Sequence, residues 1–298
     1  MLWSGYYGLA YDPFDKQNLR EKDFFPTRDY NEMIGRLNYL KDVRGIGVFT
    51  ASSGMGKSYT LRCFAKSLNP NLFSLYYICM TTVSVKGFYK ELSAKLGLPT
   101  SGSKEMLFEK IKEQLAATFT QSGRAPIFVI DEAQFLRQAV LDDLRMLTNF
   151  EIDSKNYFVL ILSGEPRLVS TLLTPVNEAL RQRIVVHYSF AGLSDEEAGK
   201  LIVHKIQSAG GAASIIDPAA TNAVIAAAHG NSRKLDRIMS QAILIGAQNK
   251  KTTIDTDTIE ASVMQLKLQG GLNDVYQCQN NSQTYRGLLW QGKYPGKP

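Results

Sequence analysis

Histidine and cysteine are scarce in this chain, with three of each among 298 residues. Cys63, Cys79 and Cys278 are far apart and odd in number, so neither a disulfide framework nor a cysteine metal site is expected. His187, His204 and His229 are scattered, and no ligand role is assigned to them. No apolar run approaches the roughly 20 residues that span a bilayer. The opening Met1-Leu-Trp-Ser-Gly-Tyr-Tyr7 lacks the basic region and apolar segment of a signal peptide. A cytoplasmic location and no membrane partner are therefore expected. Acidic residues are the minority, 28 against 34 Lys and Arg, which gives a net charge of +6 and a pI near 9.0. That balance permits a polyanionic partner such as nucleic acid without requiring one. With 44% hydrophobic and 21% charged residues, the chain has the composition of a globular protein, and its length suits about two domains.

What is present is one short stretch, Ala51-Ser-Ser-Gly-Met-Gly-Lys-Ser58, around which the rest is arranged. It follows the apolar run Gly45–Thr50, which reads as a buried strand, and precedes Tyr59–Leu68, whose apolar residues recur at helical spacing. Strand, glycine-bearing loop and helix are the context of a phosphate-binding loop. Gly54 and Gly56 let the backbone turn so that successive N–H groups face an anion, and the helix start adds its positive dipole end. ATP is the expected ligand, held by Ser52, Ser53, Gly54, Met55, Gly56, Lys57, Ser58 and Tyr59. Lys57 is expected on the β- and γ-phosphates, and the Ser58 hydroxyl on Mg²⁺. Position 51 is usually glycine in such loops; here it carries the small methyl of Ala51.

The second signal is Pro126-Ile-Phe-Val-Ile-Asp131-Glu132, an apolar strand ending in two carboxylates. Beside a phosphate loop, Asp131 is expected in the Mg²⁺ shell and Glu132 as the base that orients and deprotonates the attacking water. Further strands are expected at 45–50, 72–80, 157–162 and 184–188, with helices between them. The alternation predicts a parallel sheet covered by helices on both faces. The fourth strand ends at Ser163-Gly164. Ser163 either meets the γ-phosphate or the water, or is an ordinary turn serine. Asp29 reads as an N-cap with Glu32 three residues on, and helices are expected across 134–150.

Four regions are expected. Residues 1–28 form an aromatic arm packed on the domain surface, and 29–190 the nucleotide-binding α/β domain. Residues 191–269 form a small helical lid, with helices at 194–208, 217–229, 231–248 and 255–268. Residues 270–298 form a polar tail whose Tyr285, Leu288, Leu289, Trp290 and Tyr294 either dock on a partner or pack on the chain's own fold.

Phosphate loop, strand ending in Asp-Glu, polar strand tip and helical lid together resemble the AAA+ ATPases over about residues 25–268. The resemblance implies a P-loop fold with a central five-stranded parallel sheet flanked by helices, plus the C-terminal helical lid. It makes Arg181, in Ala179-Leu-Arg-Gln-Arg-Ile184, the first choice for a finger reaching a neighbouring subunit's γ-phosphate, with Arg183 second. It also places Arg233, in Gly230-Asn-Ser-Arg-Lys234, near the phosphates. The segments Tyr7-Gly-Leu-Ala-Tyr-Asp-Pro-Phe14, Asp131-Glu-Ala-Gln134 and Leu180-Arg-Gln-Arg-Ile184 are similar to two branches. These are the helper ATPases that select target DNA for bacterial transposons, and the ATPase of the general secretion pathway. Compact length and basic pI favour the first. That branch implies a homo-oligomeric ring or filament on duplex DNA, a transposase partner and a target-site recognition protein. Lys86, Lys90 and Lys95 are the candidate DNA contacts.

Overall fold

The computed structural model describes residues 3–15, 24–79, 84–148, 150 and 156–268. The expected tail, with its aromatic anchors, lies outside the described residues. Five strands form one parallel sheet: β1 Gly45–Thr50, β2 Phe73–Ile78, β3 Ala125–Ile130, β4 Val159–Gly164 and β5 Ile184–Ser189. Their order across the sheet is β2-β3-β4-β1-β5. Around them lie α1 Arg28–Val43, α2 Lys57–Ser67, α3 Val85–Lys95, α4 Lys104–Ser122, α5 Gln138–Leu147, α6 Arg167–Leu172 and α7 Glu178–Arg181. After β5 the described chain is helical: α8 Asp195–Ser208, α9 Pro218–Ala228, α10 Ser232–Gln248 and α11 Thr256–Leu268. This is the α/β architecture with a helical C-terminal region that the alternation predicts.

The three central strands β1, β3 and β4 are buried along their whole length. Parallel strands covered on both faces read as continuous apolar runs, and these do. Because side chains alternate with period two, each strand feeds two cores. Ile46, Val48, Phe128, Ile130, Leu160 and Leu162 meet Phe88, Leu107, Ile111 and Leu141 on one face. Phe49, Ala51, Ile127, Val129, Val159 and Ile161 meet Met33, Leu37, Leu61 and Phe64 on the other. The Ala51 methyl is thus buried in a core, which gives the departure from glycine a packing reason.

One local expectation is corrected. The N-cap of α1 is Thr27, whose Oγ1 accepts from the Tyr30 N–H at 3.2 Å, not Asp29. Asp29 is buried in the first turn and accepts from the Tyr188 hydroxyl at 2.6 Å and the N–H groups of Gly192 at 2.8 Å and Ala191 at 3.3 Å. A carboxylate with three long-range donors has no need of the helix end. Glu32 pairs with Arg36 one turn on. The helices expected across 134–150 are a 3₁₀ turn, Ala133–Phe135, and α5, separated by the extended backbone of Leu136 and Arg137.

The chain divides into two compact units. Residues 24–204 with 229–233 hold the sheet and the phosphate loop. The described residues of 3–15, 205–228 and 234–268 form the other. In that second unit Leu235, Ile238, Met239, Ala242 and Ile243 line the buried stripe of α10. The amino-terminal arm packs among its helices: Tyr7, Leu9, Tyr11 and Phe14 are buried, and the Ala10 N–H donates to the Ala209 carbonyl at 2.9 Å.

Candidate functional site

The strand order sets neighbouring strand tips side by side. β1 runs into the loop at Ala51, β4 beside it ends in Ser163-Gly164, and β3 beside β4 ends at Ile130, with Asp131 next. Ligand sites of open parallel sheets lie in the crevice beyond such carboxyl ends. The Ala51 N–H donates to the Gly164 carbonyl at 3.0 Å and fixes where the loop departs. Gly54 and Gly56 have φ of 90° and 95°, values that L side chains rarely adopt. Gly54 has a second reason to be glycine: an added Cβ would sit 2.6 Å from Asn231 Oδ1 and 2.7 Å from Arg233 Cβ. Helix α2 then begins at Lys57, with Ser58 exposed in its first turn.

Lys57 is buried, and its Nζ donates to Asp131 Oδ1 at 2.7 Å and to Ser163 Oγ at 2.6 Å. Ser163 Oγ in turn donates to Asp131 Oδ1 at 2.6 Å. The other oxygen, Asp131 Oδ2, accepts from the Tyr77 hydroxyl at 2.5 Å. Burial by itself would push the Asp131 carboxyl up, but the Lys57 ammonium and the bonds from Lys57, Ser163 and Tyr77 outweigh it and hold it below the usual carboxylate range. Burial, and then the bond to Asp131, push the Tyr77 phenol up.

Glu132 stands just beyond the strand in the left-handed region, φ 53°, and is exposed. A non-glycine residue held there is a backbone outlier of the kind that clusters at functional sites. Its carboxylate accepts from Gln134 Nε2 at 2.6 Å.

Arg233 lies against the loop: its Nη1 donates to Ser53 Oγ at 2.9 Å and its backbone N–H to the Gly54 carbonyl at 3.1 Å. Asn231 Nδ2 donates to the Ser53 carbonyl at 2.7 Å, and Ser232 Oγ to the Gly54 carbonyl at 2.7 Å. Arg181 and Arg183 sit elsewhere. Arg181 Nη1 donates to the Leu173 carbonyl at 3.1 Å, and Arg183 Nη1 to Thr148 Oγ1 at 3.4 Å. Tyr59 faces Phe24, ring centroids 5.9 Å apart and nearly parallel, and its phenol is pushed up to about 12 by burial and by its contact with Cys63.

The structure therefore gathers Lys57, Asp131, Ser163 and the loop at one place, with Glu132 next in sequence and Arg233 on the loop. Sequence reasoning missed Tyr77, Asn231, Ser232 and Gln134. Only the pairing of β2 with β3 reveals Tyr77, since it brings Tyr77 opposite Val129 and Ile78 opposite Ile130. Asn231 and Ser232 had a readable signal: small polar residues directly after a glycine at a helix start.

Residues 40–172 match the model of the AAA domain family. The chain is 28% identical over 246 residues to the general secretion pathway protein A of Aeromonas hydrophila, covering 82% of this chain and 44% of that protein, less than half its length. Among solved structures, Cdc6p from Pyrobaculum aerophilum superposes with a TM-score of 0.61 at 14% identity, over 84% of this chain and 69% of that one. The ORC1 protein of Aeropyrum pernix, solved in complex with DNA, gives 0.57 at 17% identity, over 85% and 68%. At these identities the likeness establishes the fold.

Proposed function

We propose that this AAA+ P-loop ATPase is an ATP-dependent switch that oligomerises on duplex DNA, selects target DNA and recruits a transposase. The observation that carries the switch is the set of bonds from Asn231, Ser232 and Arg233 to the phosphate loop. The chain passes from these bonds directly into the rest of α10, so a change in the loop is felt at the start of that helix. The basic balance supports a nucleic-acid partner, as do Lys86 and Lys90, exposed one turn apart on α3. Lys95 is also exposed, but nine positions from Lys86 it falls on the opposite flank of the helix. The solved ORC1 relative was determined in complex with DNA, which supports the same reading.

The residues fit ATP with Mg²⁺. Among the described residues there is no group of three or more His, Cys, Asp and Glu that could hold a metal by itself. One ionised carboxylate, Asp131, and one hydroxyl, Ser58, are the sparse hard-oxygen set with which Mg²⁺ is held through a nucleotide. The ion supplies charge neutralisation on the phosphates. Lys57 neutralises the terminal phosphates, Glu132 takes the proton of the attacking water, and Arg181, half-buried at the end of α7, acts on a neighbouring subunit's nucleotide.

Electron microscopy of protein with duplex DNA tests the proposal. Rings or filaments are expected with a slowly hydrolysed ATP analogue and not with ADP, and binding should weaken steeply with salt. Nucleotide-dependent assembly without any response to DNA would count against it. A second reading, an ATPase of envelope assembly, rests on the similarity to the Aeromonas protein. Among the described residues no helix is long and apolar enough to cross a membrane. Flotation with lipid vesicles, with no change on adding DNA, would favour this second reading.

A further inference from the structure

Gln134 makes two hydrogen bonds in opposite directions. Its Nε2 donates to Glu132 Oε2 at 2.6 Å, and its Oε1 accepts from the Glu165 backbone N–H at 3.0 Å. Only this orientation of the amide serves both neighbours, because the flipped amide would set oxygen against carboxylate and NH₂ against N–H. Glu165 follows Ser163-Gly164, the tip of β4, whose Ser163 bonds both Lys57 and Asp131. The seat is close: a Cβ added to Gly164 would lie 2.4 Å from Gln134 Oε1. Gln134 itself is half-buried, whereas Glu132 is exposed.

We infer that Gln134 is a positioning residue for hydrolysis, which ties the Glu132 carboxylate to the tip of β4 so that the base and Ser163 keep a fixed relation. The inference rests on the reading of Glu132 as the base. An exposed glutamate has three side-chain torsions to restrain, and a charge-assisted bond to a half-buried amide restrains them. The amide is fixed in turn by a main-chain donor just beyond β4, the strand whose Ser163 bonds Lys57 and Asp131. The stretch Asp131-Glu-Ala-Gln134 thus contributes three polar groups to one arrangement: Asp131 to the lysine, Glu132 to the water, Gln134 to the relation between Glu132 and β4.

Three variants test it through steady-state hydrolysis and nucleotide binding on the full chain. Gln134→Ala removes both bonds. Gln134→Glu keeps an acceptor for Glu165 but sets a second carboxylate against Glu132. Gly164→Ala displaces Gln134 while leaving Gln134 and Glu132 unchanged. All three should lower kcat about tenfold or more, with KM and nucleotide affinity within about twofold, since orientation of the reacting groups is lost and ground-state binding is not. In a Glu132→Gln background, Gln134→Ala should add nothing. Wild-type kcat in Gln134→Glu, with Glu132→Gln inactive, would show that Gln134 only ties the β4 loop and would overturn the inference alone. Weakened nucleotide affinity equal to the loss in kcat would overturn it as well. Wild-type hydrolysis by Glu132→Gln would overturn the base reading itself, and with it this inference.

Discussion

Lys57 Nζ and Asp131 Oδ1 lie 2.7 Å apart although 74 positions separate them in the chain, and Ser163 Oγ closes a triangle with both. The two side chains are nearly buried, at 10% and 6% exposure. A buried ammonium is stable only beside a charge or a set of acceptors. Here the partner is the carboxylate that the proposed mechanism assigns to the metal. Two of the three Lys57 donors are used in this triangle, so under the proposed mechanism a nucleotide phosphate would take the third or replace one of these partners.

Lys57→Ala should abolish nucleotide binding, and Glu132→Gln should bind ATP but hydrolyse it far more slowly. The first removes the charged donor to the phosphates, the second the base for the water. Binding of a fluorescent ATP analogue beside phosphate release checks the division. Equal loss of binding in both variants would sink it.

Asp131→Asn should destabilise the fold by about 3 kcal/mol at pH 7, because it leaves Lys57 buried without its counter-charge. The pH dependence follows from the direction of the shift. The Asp131 carboxyl is held below its ordinary value of about 3.9, so its contribution is complete above that value and is lost as pH falls through the lower folded-state value. Denaturant unfolding of both proteins should give a constant difference from pH 7 to 5 that shrinks below about 4. A difference that grows on acidification would contradict the assignment.

Asn231→Ala should weaken ATP binding about fivefold, equivalent to ~1 kcal/mol for a lost hydrogen bond to the loop. The Ser53 carbonyl loses its donor, while Lys57 and Glu132 are untouched. Unchanged affinity by isothermal titration would mean that the loop holds its shape without residue 231.

Arg181→Ala is expected to leave the monomer's ATP affinity unchanged and to remove hydrolysis that depends on assembly. Mixing it with the Lys57→Ala variant should restore part of the activity, since some interfaces then combine an intact loop with an intact arginine. Absence of rescue at every ratio, with weakened binding by Arg181→Ala alone, would place the arginine's role within its own subunit.

Much of this arrangement is legible without coordinates, because the local signals are strong where the chain obeys one period at a time. The fully buried strands β1, β3 and β4 are unbroken apolar runs, and the loop is a fixed spacing of glycine, lysine and serine whose backbone demands can be read residue by residue. Asp131 and Glu132 stand out because carboxylates are costly at the end of an apolar strand unless something uses them. What the sequence could not decide is which strands are neighbours. The order β2-β3-β4-β1-β5 sets Ser163 between Lys57 and Asp131, brings the Tyr77 hydroxyl to the far oxygen of Asp131, and lets Gln134 reach Glu165. Asp29 shows the same limit: its local pattern is that of a helix cap, but three donors more than 150 positions away claim its carboxylate. Local pattern fixes the element a residue belongs to, because its period and turn chemistry are written in the neighbouring positions. Partners across the sheet are fixed by topology, since a hydrogen bond depends on distance in space and the spacing along the chain carries no record of it.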